Sequence, residues 1–468
     1  MAKLSILKRP QVDMINGPLL KNMIKFAIPF FISNVLQSFF NAADLAVVGS
    51  FCGSDKVAAV GATGTLARLI VCLFVGLGSG AGVVVAHAIG AQNRSSIGKT
   101  VHTSIFFAFA GGAFLSVFGY FTCGYFLRLM NTPTEIVELS TLYLKIYFLG
   151  TIPMLLYNFG AAIIRATGDS RTPLKYLLVA GIINVVLNII FVTVFDMSVD
   201  GVALATALSQ VYSAVMVTRA LMRREDDCKL DLRKLRIYKK EFIDILRIGI
   251  PSGIQSAMFS IANLSVQTSV NSFNSTAISS GHATSNSIES FVFMGGMALQ
   301  QTAVNFMGQN VGAKNRHRVH KITATGIVCV TILYLIAAVI FLLWGEQLLG
   351  IYIKDSPEAI RWGMLKLTMI GTTSFIYGIT DVYSGVLRGM GKAATSMTIS
   401  VIGICGVRVL WLNTVFKIPK YHVMESVYMV FIISWIVTLL MQLVVYRVVT
   451  RKMFKKWQDE QKTVPTPA

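Results

Sequence analysis

Long stretches without a charged residue recur along this chain of 468 residues, and they restrict what it can fold into. The segment 325–343, for example, contains no Asp, Glu, Lys or Arg. Only 14% of the residues are charged, against roughly 25% in a soluble globular protein. A helix needs about 20 apolar residues to cross the hydrocarbon core of a bilayer. The sequence therefore predicts an all-α integral membrane protein.

The apolar runs predict twelve transmembrane helices, near 21–49, 57–88, 100–122, 138–162, 172–195, 200–221, 242–270, 278–309, 318–343, 359–386, 394–416 and 424–448. Most of the 42 Lys and Arg residues then fall on the side of the membrane that holds both termini and the central linker. Because Lys and Arg orient membrane helices towards the cytoplasm, we expect a multi-pass protein of the plasma (inner) membrane with both termini cytoplasmic. The net charge is +20, and we expect the excess Lys and Arg residues to contact anionic lipid headgroups and not nucleic acid.

An internal repeat organises these helices. A shift of 222 residues places Ile28-Pro29 on Ile250-Pro251, and the loop at Gly90-Ala91 on that at Gly312-Ala313. Each unit has an even number of helices, so the two repeats enter the membrane in the same orientation. We predict six-helix lobes at 15–221 and 242–449, a charged cytoplasmic linker at 222–241, and a cytoplasmic tail at 450–468 that we expect to be disordered.

Motifs for nucleotide or metal chemistry are absent from the sequence. The glycines of 76–82 lie within an apolar helix, where small residues favour close helix packing over dinucleotide binding. Gly98-Lys99-Thr100 resembles the end of a phosphate-binding loop, but Asn93 stands where that loop needs its first glycine. The six cysteines form no metal-binding pattern. We therefore expect no enzyme activity and no cofactor, so that any energy the protein uses comes from an ion gradient or from a partner.

Five ionisable residues of the predicted spans are expected to be buried in the membrane: Asp44, Arg68, Glu289, Asp381 and Arg408. Such residues are functional candidates by default, because a charge in the bilayer needs a partner or must be neutralised. Asp44 follows Pro29, which permits a bend in the first helix. Burial disfavours its charged form, so Asp44 is expected to exchange a proton near neutral pH or to bind Na⁺. The alternative is an Asp44 capped by polar neighbours.

Several local patterns resemble the multidrug and toxic compound extrusion (MATE) family over roughly residues 15–450. They are the Ile28-Pro29 pair, the Asn41-Ala-Ala-Asp44 segment, the Gly-Ala-x-Asn loops, and the turns Arg165-Ala-Thr-Gly168 and Leu387-Arg-Gly-Met-Gly391. The resemblance implies a V-shaped transporter of two pseudo-symmetric lobes that alternates between outward- and inward-facing states. It implies export of small organic cations in exchange for H⁺ or Na⁺, by a protein that we expect to be monomeric.

By the same resemblance, a cation site in the first lobe involves Asp44 with the matching positions Tyr143, Asn158, Asn184, Asn188 and Thr206. Many relatives carry a second acid where this chain has Asn188, and a single acid favours H⁺ over tight Na⁺ binding. Relatives of the NorM type also carry acids in helices 7 and 10. Here residues 250–270 of helix 7 include none, and the position in helix 10 is Tyr377.

The remaining buried charges allow two hypotheses. A shift of 223 maps Asp381 onto Asn158 and places Arg408 next to Asn184, which predicts an Asp381–Arg408 ion pair in the second lobe. A shift of 222 places Glu289 beside Arg68. These two form either a latch between the lobes, closed in one state only, or separate contacts within each lobe's polar interior.

Two rival functions remain to be considered. A flippase for lipid-linked saccharides would need a basic cleft for pyrophosphate, and a membrane-embedded enzyme would need clustered His, Asp or Glu. Neither pattern is present in the predicted spans. The substrate and the choice between H⁺ and Na⁺ are not encoded in any single motif.

Overall fold

The computed structural model describes residues 12–130 and 132–462, and within these ranges all regular structure is helical. The α-helices are α1 Leu19–Phe51, α2 Ser54–Gly90, α3 Arg94–Leu129, α4 Thr134–Leu149, α5 Thr151–Ala166, α6 Arg171–Thr193, α7 Val199–Met222, α8 Lys239–Asn271, α9 Thr276–Gly312, α10 Arg316–Tyr352, α11 Pro357–Lys366, α12 Thr372–Gly389, α13 Ala393–Ser400, α14 Val407–Asn413 and α15 Met424–Lys462. Nine of the described helices are long and apolar enough to cross a bilayer, or ten when α4 and α5 count as one bent span.

Each of the twelve predicted spans corresponds to a helical segment, and three of these segments are interrupted. The span predicted at 138–162 divides into α4 and α5 at Gly150, with a bend of 46°. Pro153 lies in the first turn of α5, where proline is tolerated because the first N–H groups of a helix have no partner within it. Two π-helical segments, Leu367–Gly371 and Val401–Gly406, interrupt the tenth and eleventh spans. Helix α1 runs continuously through Pro29, and the Ser33 hydroxyl donates to the Pro29 carbonyl at 2.8 Å.

Two loops explain why one motif occurs twice. In the first, Gln92 has a φ of 53° and the Asn93 side chain accepts from the Ser96 N–H, which caps the start of α3. In the second, Lys314 has a φ of 52° and Asn315 caps α10 through the Arg318 N–H. An N-cap Asn satisfies a donor that the helix leaves unpaired. The Gly-Ala-x-Asn motif therefore specifies a tight helix–loop–helix connection in both repeats.

The backbone contacts divide the chain into two compact units. Unit 1 contains residues up to Gly17 and Ile24–Ile254, and unit 2 contains Pro18–Met23 and the chain from Gln255 onwards. The linker at 222–241 belongs to unit 1, together with the first half of α8. This division does not test the predicted limits of the two membrane-spanning lobes, 15–221 and 242–449, which stay a prediction.

The linker folds against unit 1 instead of extending into solvent. Cys228 and Leu230 are buried in an apolar cluster with residues of α2, α3, α5, α6 and α7. The Asp231 N–H donates to Nε2 of His102 at 3.1 Å, while Nδ1 of the same ring bonds the Gly98 carbonyl at 2.6 Å. Since a carbonyl can only accept and an N–H can only donate, the ring carries its proton on Nδ1. Helix α3 and the linker are therefore joined by a specific hydrogen bond.

The expected disorder of the tail is wrong for residues 450–462, which continue α15. Contacts with α10 stabilise this extension. The Arg316 guanidinium lies 4.8 Å from the centre of the Phe454 ring, and Lys314 forms an ion pair with Glu460 at 2.6 Å. Residues 463–468 lie outside the described part of the chain.

Within unit 1, glycines bring α2 and the first half of α8 into backbone contact. A Cβ atom on Gly80 would lie 2.7 Å from the Gly249 nitrogen, and one on Gly76 would overlap the backbone of Gly253. On each helix the two glycines, Gly76 and Gly80 on α2 and Gly249 and Gly253 on α8, have the small-xxx-small spacing that allows membrane helices to approach closely. The predicted packing role of the glycines in 76–82 is confirmed for these two positions.

Candidate functional site

Asp44 is a buried carboxylate at the centre of a hydrogen-bonded cluster in unit 1. It lies on α1 with 9% of its surface exposed. The Asn188 amide nitrogen on α6 donates to one carboxylate oxygen at 2.5 Å. The Thr206 hydroxyl on α7 lies 3.4 Å from the other and shares its single proton between that oxygen and the Val202 carbonyl, at 3.0 Å. All its partners within the described residues are neutral. The site therefore holds an acidic group without a permanent basic neighbour.

Asn184 extends this cluster by one helical turn. Residues four apart lie on the same face of a helix, so Asn184 and Asn188 point towards α7 together. The Asn184 nitrogen donates to the Thr206 hydroxyl at 3.2 Å, and its oxygen accepts from Asn188 at 3.5 Å. The second polar atom of Asn188, its amide oxygen, is buried and accepts no hydrogen bond within the described residues. The cluster can therefore offer oxygens to a cation from the carboxylate, two amides and a hydroxyl.

Two of the residues that the family resemblance implied lie outside this network. The Asn158 amide donates to the Met154 carbonyl of its own helix at 2.9 Å. The Tyr143 ring stacks on Tyr147, with 6.4 Å between ring centres. The structure thus assembles Asp44, Asn184, Asn188 and Thr206 into one network and leaves Asn158 and Tyr143 out of it.

An apolar layer borders the polar cluster on one side. Val48, Val192 and Val202 belong to one buried cluster, and each lies four residues from a polar member on the same helix: Asp44, Asn188 and Thr206 respectively. Tyr143 packs against this layer. The valines keep water from the carboxylate on that side, which strengthens its electrostatic interactions with any bound cation.

In unit 2, Glu289 is buried with a different kind of partner. The Glu289 carboxylate on α9 forms an ion pair with the Lys366 ammonium at the end of α11, at 3.0 Å. Lys366 also donates to the Asn286 side chain. The side chains of Glu289 and Lys366 are 5% and 1% exposed, so the ion pair is removed from solvent. This contact within the unit's polar interior is the alternative to the proposed latch; the Arg68 side chain lies outside the described residues.

Lys366 was missing from the set of buried ionisable residues inferred from sequence. It lies within the predicted span 359–386, yet it was not counted with the charges that need an explanation. The internal repeat could have drawn attention to Lys366, because a shift of 223 aligns it with Tyr143, one of the residues implied for the cation site of the first lobe. Helix α9 and the α11–α12 segment are also the two spans that are not apolar enough to be recognised as membrane-crossing.

The predicted Asp381–Arg408 ion pair is wrong in this structure. Asp381 accepts from the Gln300 side chain at 3.1 Å. Arg408 donates to Asn263 at 3.2 Å and to Ser434 at 3.3 Å, and its guanidinium lies 4.0 Å from the centre of the Phe431 ring. Neutral partners and an aromatic face hold this cation, since guanidinium groups stack well on rings.

The described residues contain no group of three or more His, Cys, Asp or Glu side chains that could hold a metal ion. A metal ion bound at Asp44 would be coordinated by one carboxylate and otherwise by neutral oxygens. Such a donor set suits a proton or a monovalent cation better than a divalent metal, which favours several carboxylates.

Comparisons with known proteins agree with this architecture. The MatE family model matches the chain twice, over residues 29–190 and 251–412, one match in each repeat. "Probable multidrug resistance protein YoeA" of Bacillus subtilis is 29% identical, with 83% of this chain and 85% of the relative aligned. "Probable multidrug resistance protein NorM" of Thermotoga maritima is 27% identical, with 86% of each chain covered.

Solved structures support the same fold. A MATE transporter described in the bent conformation matches with a TM-score of 0.89 and 20% identity, covering 96% of this chain and 99% of that chain. A MOP superfamily transporter from Pyrococcus furiosus matches with a TM-score of 0.88 at 20% identity, over 95% and 99% of the two chains. With two family matches, an all-helical fold and two repeats, the chain belongs to the multidrug and toxic compound extrusion (MATE) family of multi-pass membrane transporters.

Proposed function

We propose that this protein exports small organic cations by alternating access, in exchange for H⁺ or Na⁺ bound at Asp44. Its location would be the plasma membrane, with both termini in the cytoplasm. Family membership supports the transport role, and relatives are named as multidrug resistance or multidrug export proteins. One observation carries the coupling: a buried carboxylate whose partners in the described structure are uncharged.

The geometry supports a mechanism in which the coupling cation rearranges the cluster. Ionised Asp44 draws the Asn188 and Thr206 donors onto its two oxygens, and so ties α1 to α6 and α7. A proton turns one oxygen into a donor, which no longer suits a facing N–H and instead fits an acceptor such as the unpaired Asn188 oxygen. Na⁺ would likewise require amide oxygens rather than amide nitrogens.

This inversion of donors and acceptors changes the packing of α1 against its neighbours. A bound ion shifts a conformational equilibrium by its difference in affinity for the two states. An exporter needs one state to favour the coupling ion and the other to favour the drug. Asp44 meets that requirement, because its charge, and with it the preferred orientation of Asn188, depends on the bound cation.

The flippase alternative has less support. It requires basic side chains free to hold pyrophosphate. Two of the bases that the structure describes inside unit 2, Lys366 and Arg408, are already engaged by Glu289 and Asn286, and by Asn263 and Ser434. No specific contact favours it over cation exchange.

The test uses purified full-length protein in liposomes that contain a fluorescent organic cation, with proton and sodium gradients imposed separately. We expect one of the two gradients to drive release by the wild type. Asp44→Asn, which is close in shape and cannot ionise, should fold normally and release no more dye than protein-free liposomes under either gradient.

Glu138→Gln is the matched control, because it neutralises an exposed acid on α4 of the same unit. It should transport like the wild type. Gradient-driven release by Asp44→Asn at the wild-type rate would overturn the proposal.

A further inference from the structure

Glu289 and Lys366 form a buried ion pair that the coupling mechanism at Asp44 does not use. Taking two charges out of water is so unfavourable that apolar residues of similar size often give equal or greater stability. The ion pair therefore contributes little to folding that a Met or Leu pair would not. Its two residues lie in α9 and α11, and neither α9 nor the α11–α12 segment is among the described helices that are apolar enough to cross a bilayer; a buried charge pair kept there points to a role in transport.

The internal repeat relates this ion pair to the site of unit 1. Under the 223-residue shift, Lys366 corresponds to Tyr143, which packs on the valine layer next to Asp44. The first repeat thus has an uncharged phenol where the second repeat has an ammonium group. Unit 2 carries a cation as part of its own chain, at the position equivalent to a neighbour of the first unit's cation site.

The Glu289 carboxylate keeps unused capacity to bind a cation. One oxygen contacts Lys366, while the other is buried without a hydrogen-bond partner in the described structure. It lines a narrow crevice, too tight for a water molecule in this structure, together with Tyr334, whose hydroxyl has no hydrogen-bond partner in the described structure, and the side chains of Phe293 and Ser374. A carboxylate oxygen, a phenol oxygen and an aromatic wall would suit a compact monovalent cation.

The Lys366 ammonium stands at the end of α11, immediately before the π-helical segment Leu367–Gly371. Such segments are often found at functional sites, because the extra residue redirects side chains of the helix. The Asn286 oxygen binds the same ammonium group. The contact with Asn286 and the ion pair with Glu289 together hold the ammonium group in place.

We propose that Lys366 is a tethered counter-cation that occupies Glu289 and so prevents this carboxylate from taking up a coupling ion. This inference rests on the proposed cation exchange at Asp44. It makes residue 366 the determinant of how many cations the protein exchanges for each substrate molecule. With Lys366 present, Glu289 is already neutralised; without it, Glu289 must recruit a proton or Na⁺ from solution.

The experiment counts cations bound by the purified full-length protein in detergent. Proton uptake is measured by acid–base titration in the absence of Na⁺, and ²²Na⁺ binding is measured at alkaline pH, so that the two sources are distinguished. Counted over the pH range in which Lys366 of the wild type stays protonated, Lys366→Met should bind one cation more per protein than the wild type in one of these assays. Lys366→Arg retains the charge and should equal the wild type.

The double variant Lys366→Met/Glu289→Gln should lose the additional cation, which assigns the gain to Glu289. If Lys366→Met does not fold, Glu289→Gln still decides the matter. The wild type and Glu289→Gln should bind equal numbers of cations, because Glu289 is blocked by Lys366. A loss of one cation in Glu289→Gln, or no gain in folded Lys366→Met, would overturn the inference.

The Asp44→Asn background separates this inference from the proposed function. If Asp44→Asn left cation binding unchanged, coupling at Asp44 would be refuted, yet the gain in Lys366→Met would remain measurable. If Asp44→Asn abolished binding and Lys366→Met restored one site in that background, both would stand. No gain in that background would count against Lys366 alone.

Discussion

In unit 1, Asp44 is held by an amide and a hydroxyl, whereas in unit 2 Glu289 is held by an ammonium group. Both carboxylates are buried at the level of the membrane spans. The first keeps its negative charge available for an ion from solution, and the second has that charge cancelled by its own chain. Two repeats of one fold can thus treat a buried carboxylate differently: one leaves the charge for an ion from solution, and the other cancels it with a side chain of its own.

The most severe way to break this comparison is to remove the tethered cation. Lys366→Met leaves Glu289 as an uncompensated buried charge, which should lower the free energy of unfolding by about 3–5 kcal/mol. Lys366→Met/Glu289→Met should recover most of that loss, because it removes both charges. Thermal unfolding of the purified variants in detergent measures the difference. Equal destabilisation of the single and double variants would show that packing, and not charge, is responsible.

A second, smaller effect is expected at Asn188, which makes the short hydrogen bond to Asp44. Asn188→Leu should lower the free energy of unfolding by about 1.5–3 kcal/mol, the range for a hydrogen bond to a charged group. In the Asp44→Asn background the same change should have an effect of only about 0.5–1.5 kcal/mol, because both partners are then neutral. A double-mutant cycle isolates this coupling. Identical losses in both backgrounds would mean that Asp44 is already neutral in the folded protein.

The smallest effect concerns an ion pair that resembles Glu289–Lys366 in distance but not in burial. Lys314 and Glu460 lie 2.6 Å apart with side chains that are 48% and 41% exposed. Because solvent screens exposed charges, Glu460→Gln should change the free energy of unfolding by less than about 1 kcal/mol. The same thermal assay applies. A loss as large as that of Lys366→Met would make burial irrelevant and would remove the basis of the comparison.

Helix positions, the repeat and Asp44 follow from the sequence, because each depends on a pattern that a linear chain displays. Apolar runs mark the spans, and matching segments mark the repeat. A lone acid between them marks the site. The Asn184–Asn188 spacing places two amides on one helical face, which also is visible before folding.

The contacts of Lys366 and Arg408 did not follow from the sequence. Symmetry between the repeats predicted an ion pair between Asp381 and Arg408. The Arg408 guanidinium instead stacks on an aromatic ring and donates to two neutral acceptors. Which of several polar groups a long basic side chain reaches depends on helix rotation and on interruptions such as the π-helical segments. The break at Gly150 likewise required knowledge of the neighbouring helices.

The glycine contact between α2 and α8 has a thermodynamic consequence. A glycine has no rotamers to lose, so forming this strip of contact avoids the side-chain entropy, up to roughly 2 kcal/mol per residue, that long side chains would lose. Around Gly249 and Gly253, the neighbouring side chains that would need to adapt to a shift are those of Leu73 and Leu77. Where the glycines meet α2, rotamer entropy is therefore lost by the two leucines opposite them and not by the glycines themselves.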